Sequence, residues 1–160
     1  MSHSNLYWIE DFAPRLAIMA RPRAGDWLED EVANWKREGV GVVVSLLESD
    51  EVDELGLAAE PALCREAGIE FVSFPIADRG VPRNPEDALS LARRLVATGK
   101  PVAIHCRAGI GRSSIMAALV LSLSGIEVSA AFEALSAARR LSVPDTEQQR
   151  LWVETQATAT

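Results

Sequence analysis

The sequence predicts an α/β fold, a mostly parallel central sheet flanked by helices on both faces. Three observations carry this. Short β-rich stretches alternate with longer helical patterns along the 160 residues. Two of those stretches, at 40–45 and 102–105, are nearly continuous apolar runs, as strands buried on both faces of a parallel sheet are. Glycines stand where the helical patterns stop, at Gly39, Gly68 and Gly99.

Strands are expected at 16–19, 40–45, 69–74 and 102–105. A helix over 26–38 carries Leu28, Val32 and Trp35 on one stripe, with acids in its first turn and Lys36 and Arg37 in its last. A short helix is expected over 61–67. The next, over 85–98, repeats apolar residues at 88, 91, 92 and 95. An apolar helical run covers 115–123. Two further helices are expected at 129–141 and 146–156, the second capped by Asp145.

Length and composition narrow the class. The chain suits one domain over residues 1–160, with no repeat or Gly/Ser-rich linker dividing it. Its apolar fraction of 48% and charged fraction of 24% are those of a soluble globular protein. The net charge of −7 argues against a general nucleic-acid or anionic-membrane surface. No apolar run is long enough to span a bilayer, and residues 1–15 do not read as a signal peptide. Two cysteines do not make a disulfide scaffold, so a cytoplasmic location is expected. Oligomeric state is left open.

The chemistry concentrates in His105-Cys106-Arg107-Ala108-Gly109-Ile110-Gly111-Arg112-Ser113-Ser114. A strand leads into this loop and a helix leaves it. Such a junction makes an anion cradle, because free backbone N–H groups and the helix dipole converge on it. A cysteine there is expected as a thiolate, favoured by the loop amides, the helix N-terminus, Arg112 and His105. Residues 107–112 are the expected phosphate-binding set, with the planar fork of Arg112 gripping two phosphoryl oxygens. Gly109 and Gly111 let the amides turn inward. Ser113 is placed to donate to the Cys106 sulfur.

This loop resembles the signature of the cysteine-dependent protein tyrosine and dual-specificity phosphatases. The segment Phe74-Pro75-Ile76-Ala77-Asp78-Arg79-Gly80-Val81-Pro82 resembles their general-acid segment, closest to the cyclin-dependent-kinase-associated phosphatase group and its bacterial relatives. The likeness runs over about residues 40–155 and hardly touches the first 25. It implies a protein tyrosine phosphatase-like fold and transfer of a phosphoryl group to Cys106. Hydrolysis of the phosphocysteine follows, with Asp78 as acid and then base. The implied partner is a phosphorylated protein or peptide carrying phosphotyrosine, phosphoserine or phosphothreonine. The same chemistry on an inositol phosphate, nucleotide or RNA end is the alternative, as is a pseudophosphatase that binds without turnover. Sulfur transfer by a rhodanese-like loop fits less well, since that loop is shorter and lacks an acid such as Asp78.

Two departures stand out. Relatives often carry a glutamine pattern near the last helix that positions the hydrolytic water. Here its first glutamine is missing, and Gln148 matches the second position either as that residue or as an exposed helix glutamine. Lipid-acting relatives often carry two bases in the loop; Arg107 fits the first place and Ile110 does not fit the second.

Lesser features stay open. Glu48, Asp50, Glu51, Asp53 and Glu54 form either a solvated acidic loop or a border that selects basic substrates. Arg79 and Arg83 either flank the acid as anion contacts or are ordinary surface arginines. Cys64 is either a small buried residue or an oxidation partner for Cys106. His3 stands in the N-terminal segment, and no metal or other cofactor is expected. The dispersed tryptophans 8, 27, 35 and 152 are expected in the core.

Overall fold

The computed structural model describes residues 6–10, 12 and 15–159; His3 lies outside them. A five-stranded sheet has the order β1-β2-β5-β3-β4. Its strands are β1 (Tyr7–Trp8), β2 (Leu16–Met19), β3 (Val42–Ser45), β4 (Glu70–Ser73) and β5 (Val102–His105). The last four are mutually parallel, and β1 runs antiparallel along the β2 edge. Two elements are absent from the sequence-based expectation. One is β1, too short to show periodicity. The other is a helix, α2, inside the acidic run.

The described residues form seven helices, in chain order α1 (Asp26–Arg37), α2 (Ser49–Glu54), α3 (Glu60–Glu66), α4 (Pro85–Ala97), α5 (Arg112–Leu123), α6 (Val128–Arg139) and α7 (Glu147–Ala159). Strand alternation sends side chains to two cores. Leu16, Ile18, Val42, Val44, Val102 and Ile104 share a core with residues of α4, α5, α6 and α7. Ala17, Met19, Val43 and Ala103 face the other way, against Val32 and Trp35 of α1 and Cys64 of α3. Helices therefore cover both faces, as a parallel sheet requires.

The middle helix explains the apolar run that lacks a polar stripe. Every residue of α5 from Arg112 to Leu121 is buried, because α4, α6, α7 and the sheet surround it. Its first turn begins at Arg112, three residues before the expected apolar start, so Arg112 and Ser113 sit on the helix rather than in the loop. Because four strands are parallel, the loops after β2, β3, β4 and β5 all emerge at one end of the sheet. That end collects residues distant in sequence.

Of the four tryptophans, Trp35 is buried and Trp8 and Trp152 are half-buried. Trp27 is 56% exposed on α1, its ring stacked under the Arg23 guanidinium rather than in the core. Phe132 anchors α6 against α5 at 1% exposure. Phe132→Ala should cost about 3–5 kcal/mol by urea denaturation, from lost apolar burial and the cavity left behind.

Candidate active site

A parallel sheet edge and a helix start build the site. β5 delivers His105 and Cys106, and α5 begins six residues after the cysteine with Gly111 at its cap position. Alternation along β5 continues past its end. His105 turns toward α3, fully buried, with Nε2 2.6 Å from Oε2 of the equally buried Glu60. Cys106 turns to the opposite face. His105 is thus a buttress behind the loop, not a residue of the pocket. Its other ring nitrogen, Nδ1, has no partner.

The loop closes a pocket of about 220 Å³ lined by Cys106, Arg107, Ala108, Ile110, Gly111 and Arg112, with Asp78, Arg79, Asp145 and Gln149 opposite. Cys106 Sγ lies 3.4 Å from Ser113 Oγ, inside the first turn of α5. Gly109 has φ of 71°, and a Cβ there would come within 2.6 Å of the Met19 backbone. A side chain at 109 would drive the loop off the end of β2.

Arg112 is 2% exposed and held by four contacts. Nη1 donates to Oε1 of Glu51 at 2.6 Å and to the Ile76 carbonyl at 3.0 Å. Nη2 donates to Oε2 of Glu51 at 3.0 Å and to Oδ1 of Asp78 at 3.2 Å. The guanidinium is therefore fixed bidentately by one buried carboxylate and touched by a second, exposed one. Burial alone would push the Glu51 carboxyl up. The Arg112 hydrogen bond, the Glu48 backbone N–H and the charges of Arg112 and Arg107 overcome that and hold it below its ordinary value. The converse holds for Arg112. Burial disfavours its charge, yet Glu51, Cys106 and Asp78 raise it further above its usual range.

The acidic run is thus a helix with divided duties. Glu48 and Glu51 form a reciprocal capping box at the start of α2. Glu51 also holds Arg112, and Glu54 binds Arg107 at 3.1 Å. Asp50 and Asp53 remain at the exposed surface. The pattern Glu48-x-x-Glu51 was the available signal for this helix, masked by the surrounding acids.

A second correction concerns the glutamine. Gln148 is exposed on α7, whereas Gln149 is fully buried and lines the pocket. Its Oε1 accepts from the N–H groups of Asp145 and Thr146, and its Nε2 donates to the Gly80 carbonyl at 3.0 Å. The Gln149 N–H in turn donates to Thr146 Oγ1. This reciprocal pair is a Thr-x-x-Gln capping box, so Thr146 rather than Asp145 caps α7. Arg79 and Asp145 pair at 3.4 Å, a further link from the Asp78 segment to the start of α7. Arg79 therefore borders the pocket, while Arg83 is exposed outside its lining.

Cys64 packs under the α1–α3 face and Cys106 under the other, so the sheet separates the two sulfurs. Burial, then the Glu60 charge, push the Cys64 thiol up to about 12 against a partial pull from Arg65. It is a small buried residue rather than an oxidation partner. Among the described residues, no group of three or more His, Cys, Asp or Glu is placed to hold a metal.

Glu51 links the site to stability. A carboxyl whose folded pKa is lowered stabilises the fold above its ordinary value of 4.5, and loses that contribution as pH falls through the folded value. Glu51→Gln should cost about 3–5 kcal/mol at neutral pH, because a buried guanidinium loses its counter-charge. Urea denaturation across pH should show the gap from wild type shrinking in acid.

The model of the Tc-R-P family, described as a polymorphic toxin system DSP-PTPase phosphatase, matches residues 17–126. Human protein tyrosine phosphatase type IVA 3 is 39% identical over 77 residues, covering 46% of this chain and 44% of that protein. The chain spans between 5% and 44% of the length of the curated relatives it matches. A kinase associated phosphatase (KAP) structure superposes with a TM-score of 0.84 at 18% identity, over 100% of this chain and 99% of that one. Tk-PTP in the active form gives 0.77 at 26% identity, over 99% of each chain. No helix among the described residues is long and apolar enough to cross a membrane. The chain belongs to the Tc-R-P family of DSP-PTPase phosphatases, among the cysteine-dependent protein tyrosine and dual-specificity phosphatases.

Proposed function

We propose that this phosphatase hydrolyses phosphate monoesters in two steps through a phosphocysteine, and that its substrates are phosphorylated protein side chains. One observation carries the reading. A single pocket joins the Cys106 sulfur, a buried and immobilised Arg112, and an exposed carboxylate, Asp78, that already touches Arg112.

In the first step the Cys106 thiolate attacks phosphorus and the ester oxygen leaves, taking a proton from Asp78. Loop amides and Arg112 hold the non-bridging oxygens as charge builds on them. In the second step water attacks the phosphocysteine and gives its proton to Asp78. The sulfur departs as a thiolate and receives a hydrogen bond from the Ser113 hydroxyl. Gln149, not Gln148, is the glutamine positioned beside that water's approach, with one amide N–H beyond its bond to Gly80. Cys106 is a free thiol, as a thiol nucleophile needs.

The rim supports dual specificity. None of the described lining residues is aromatic, so a phosphotyrosine ring gains no stacking partner among them over a phosphoserine or phosphothreonine side chain. Arg107 is tied to Glu54 and Glu51, and Ile110 is apolar, so the loop offers little spare positive charge to a polyphosphorylated headgroup. An inositol phosphate or nucleotide would find less to bind than a protein monoester.

Cys106→Ser should lose at least about 10⁴-fold in turnover of para-nitrophenyl phosphate while still binding inorganic phosphate. Full activity in that variant would end the mechanism. Asp78→Asn should lose about 10²–10³-fold on alkyl and phenyl phosphates and far less on esters with good leaving groups. Steady-state kinetics on matched phosphotyrosine and phosphothreonine peptides, inositol phosphates and nucleotides checks the substrate class.

A further inference from the structure

Three consecutive carbonyls on the outer wall of the phosphate loop each have a donor. The Arg107 carbonyl accepts from the Arg21 N–H at 3.2 Å. The Ala108 carbonyl accepts from Nη2 of Arg139 at 3.1 Å, and the Gly109 carbonyl from Nε of the same guanidinium at 3.2 Å. Across a trans peptide, the C=O of one residue and the N–H of the next point in opposite directions. Tying these carbonyls outward therefore turns the N–H groups of Ala108, Gly109 and Ile110 inward.

Converging N–H dipoles repel one another when no anion is present. The loop consequently gains from any contact that fixes its peptides in the binding orientation, and that contact lowers the cost of receiving an anion. Arg139 supplies two of the three ties. It stands in the last turn of α6, about thirty residues from the carbonyls it holds and outside the segment matched by the family model. Its guanidinium lies over the Tyr7 ring, 4.4 Å from the centroid, so β1 gives it a seat. Gly109 is pressed against the end of β2 on the same side, which leaves the loop little room to turn otherwise.

We infer that Arg139 is a positioning residue that sets the anion affinity of the phosphate loop by holding the Gly109 and Ile110 amides inward, with Tyr7 as its support. The inference rests on the reading of this loop as the phosphate site. It assigns a role to two elements, β1 and α6, that otherwise contribute nothing to the pocket lining.

The test uses inorganic phosphate as the probe, so it does not depend on turnover. Calorimetry should show phosphate binding to Arg139→Met weakened roughly tenfold, the scale of one charge-assisted hydrogen bond, with the thermal midpoint little changed. Arg139→Lys, which keeps the charge and one donor, should fall between Met and wild type. Tyr7→Phe should bind as wild type, and Tyr7→Leu should weaken binding in the direction of Arg139→Met. On para-nitrophenyl phosphate, KM should rise with phosphate Kd while kcat changes less. Unchanged phosphate affinity in Arg139→Met overturns the inference. If that variant unfolds, Arg139→Lys and Tyr7→Leu decide, and wild-type affinity in both overturns it. A wild type that binds phosphate without hydrolysing the ester refutes the phosphatase reading alone; one that does not bind phosphate refutes both.

Discussion

A guanidinium keeps its charge even at 2% exposure, so burying it is costly unless a counter-charge lies at hydrogen-bond distance, and Glu51 provides the bidentate one. The rest of the site is arranged around that pair. Glu51 reaches Arg112 only because α2 exists, and α2 exists because Glu48 and Glu51 cap its first turn reciprocally. The carboxylate that starts the helix is the carboxylate that holds the arginine. A single side chain thus couples formation of α2 to the orientation of the Arg112 fork. Burial opposes both charges, so the pair is less a source of net stability than a device fixing one geometry.

The sheet makes this possible from sequence-distant parts. Parallel strands release their following loops at one end, which brings Glu51 after β3, Asp78 after β4 and Cys106 after β5 to one place. Antiparallel pairing of the same strands would scatter them between two ends. Alternation along β5 then divides the two residues at its exit. His105 is sent to Glu60 and the α1–α3 core, Cys106 to the pocket. The same alternation keeps Cys64 on the far side of the sheet from Cys106.

What the sequence revealed follows from how local each signal is. The four long strands and six of the seven helices appear as periodicity, and the loop appears as a run of contiguous residues. Asp78 was singled out by the resemblance of its segment, 74–82, to a family's general-acid segment, and the structure puts it against Arg112. The missed features depend on partners elsewhere in the chain. Glu51 looks like its acidic neighbours until Arg112, sixty-one positions away, is placed beside it. Gln149 and Gln148 are adjacent on one helix, and only the capping box with Thr146 tells which one turns inward. Trp27 carries the same apolar ring as Trp35, but lies outside the stripe of α1 that meets the sheet. β1, at two residues, has no periodicity to read and is defined by its pairing with β2.

The two carboxylates on Arg112 are not equivalent, and their difference explains how a site already filled with anions can accept another. Glu51 is buried and makes two bonds, at 2.6 and 3.0 Å; Asp78 is 57% exposed and makes one, at 3.2 Å. An arriving phosphate competes with both for the same cation. Displacing Glu51 would strand a buried carboxylate and unwind the cap of α2, whereas Asp78 can turn into water at little cost. Asp78 is therefore the carboxylate that can yield without cost to the buried core or to the cap of α2. Of the two carboxylates on Arg112, one thus fixes the guanidinium in place and the other is free to exchange for an arriving anion.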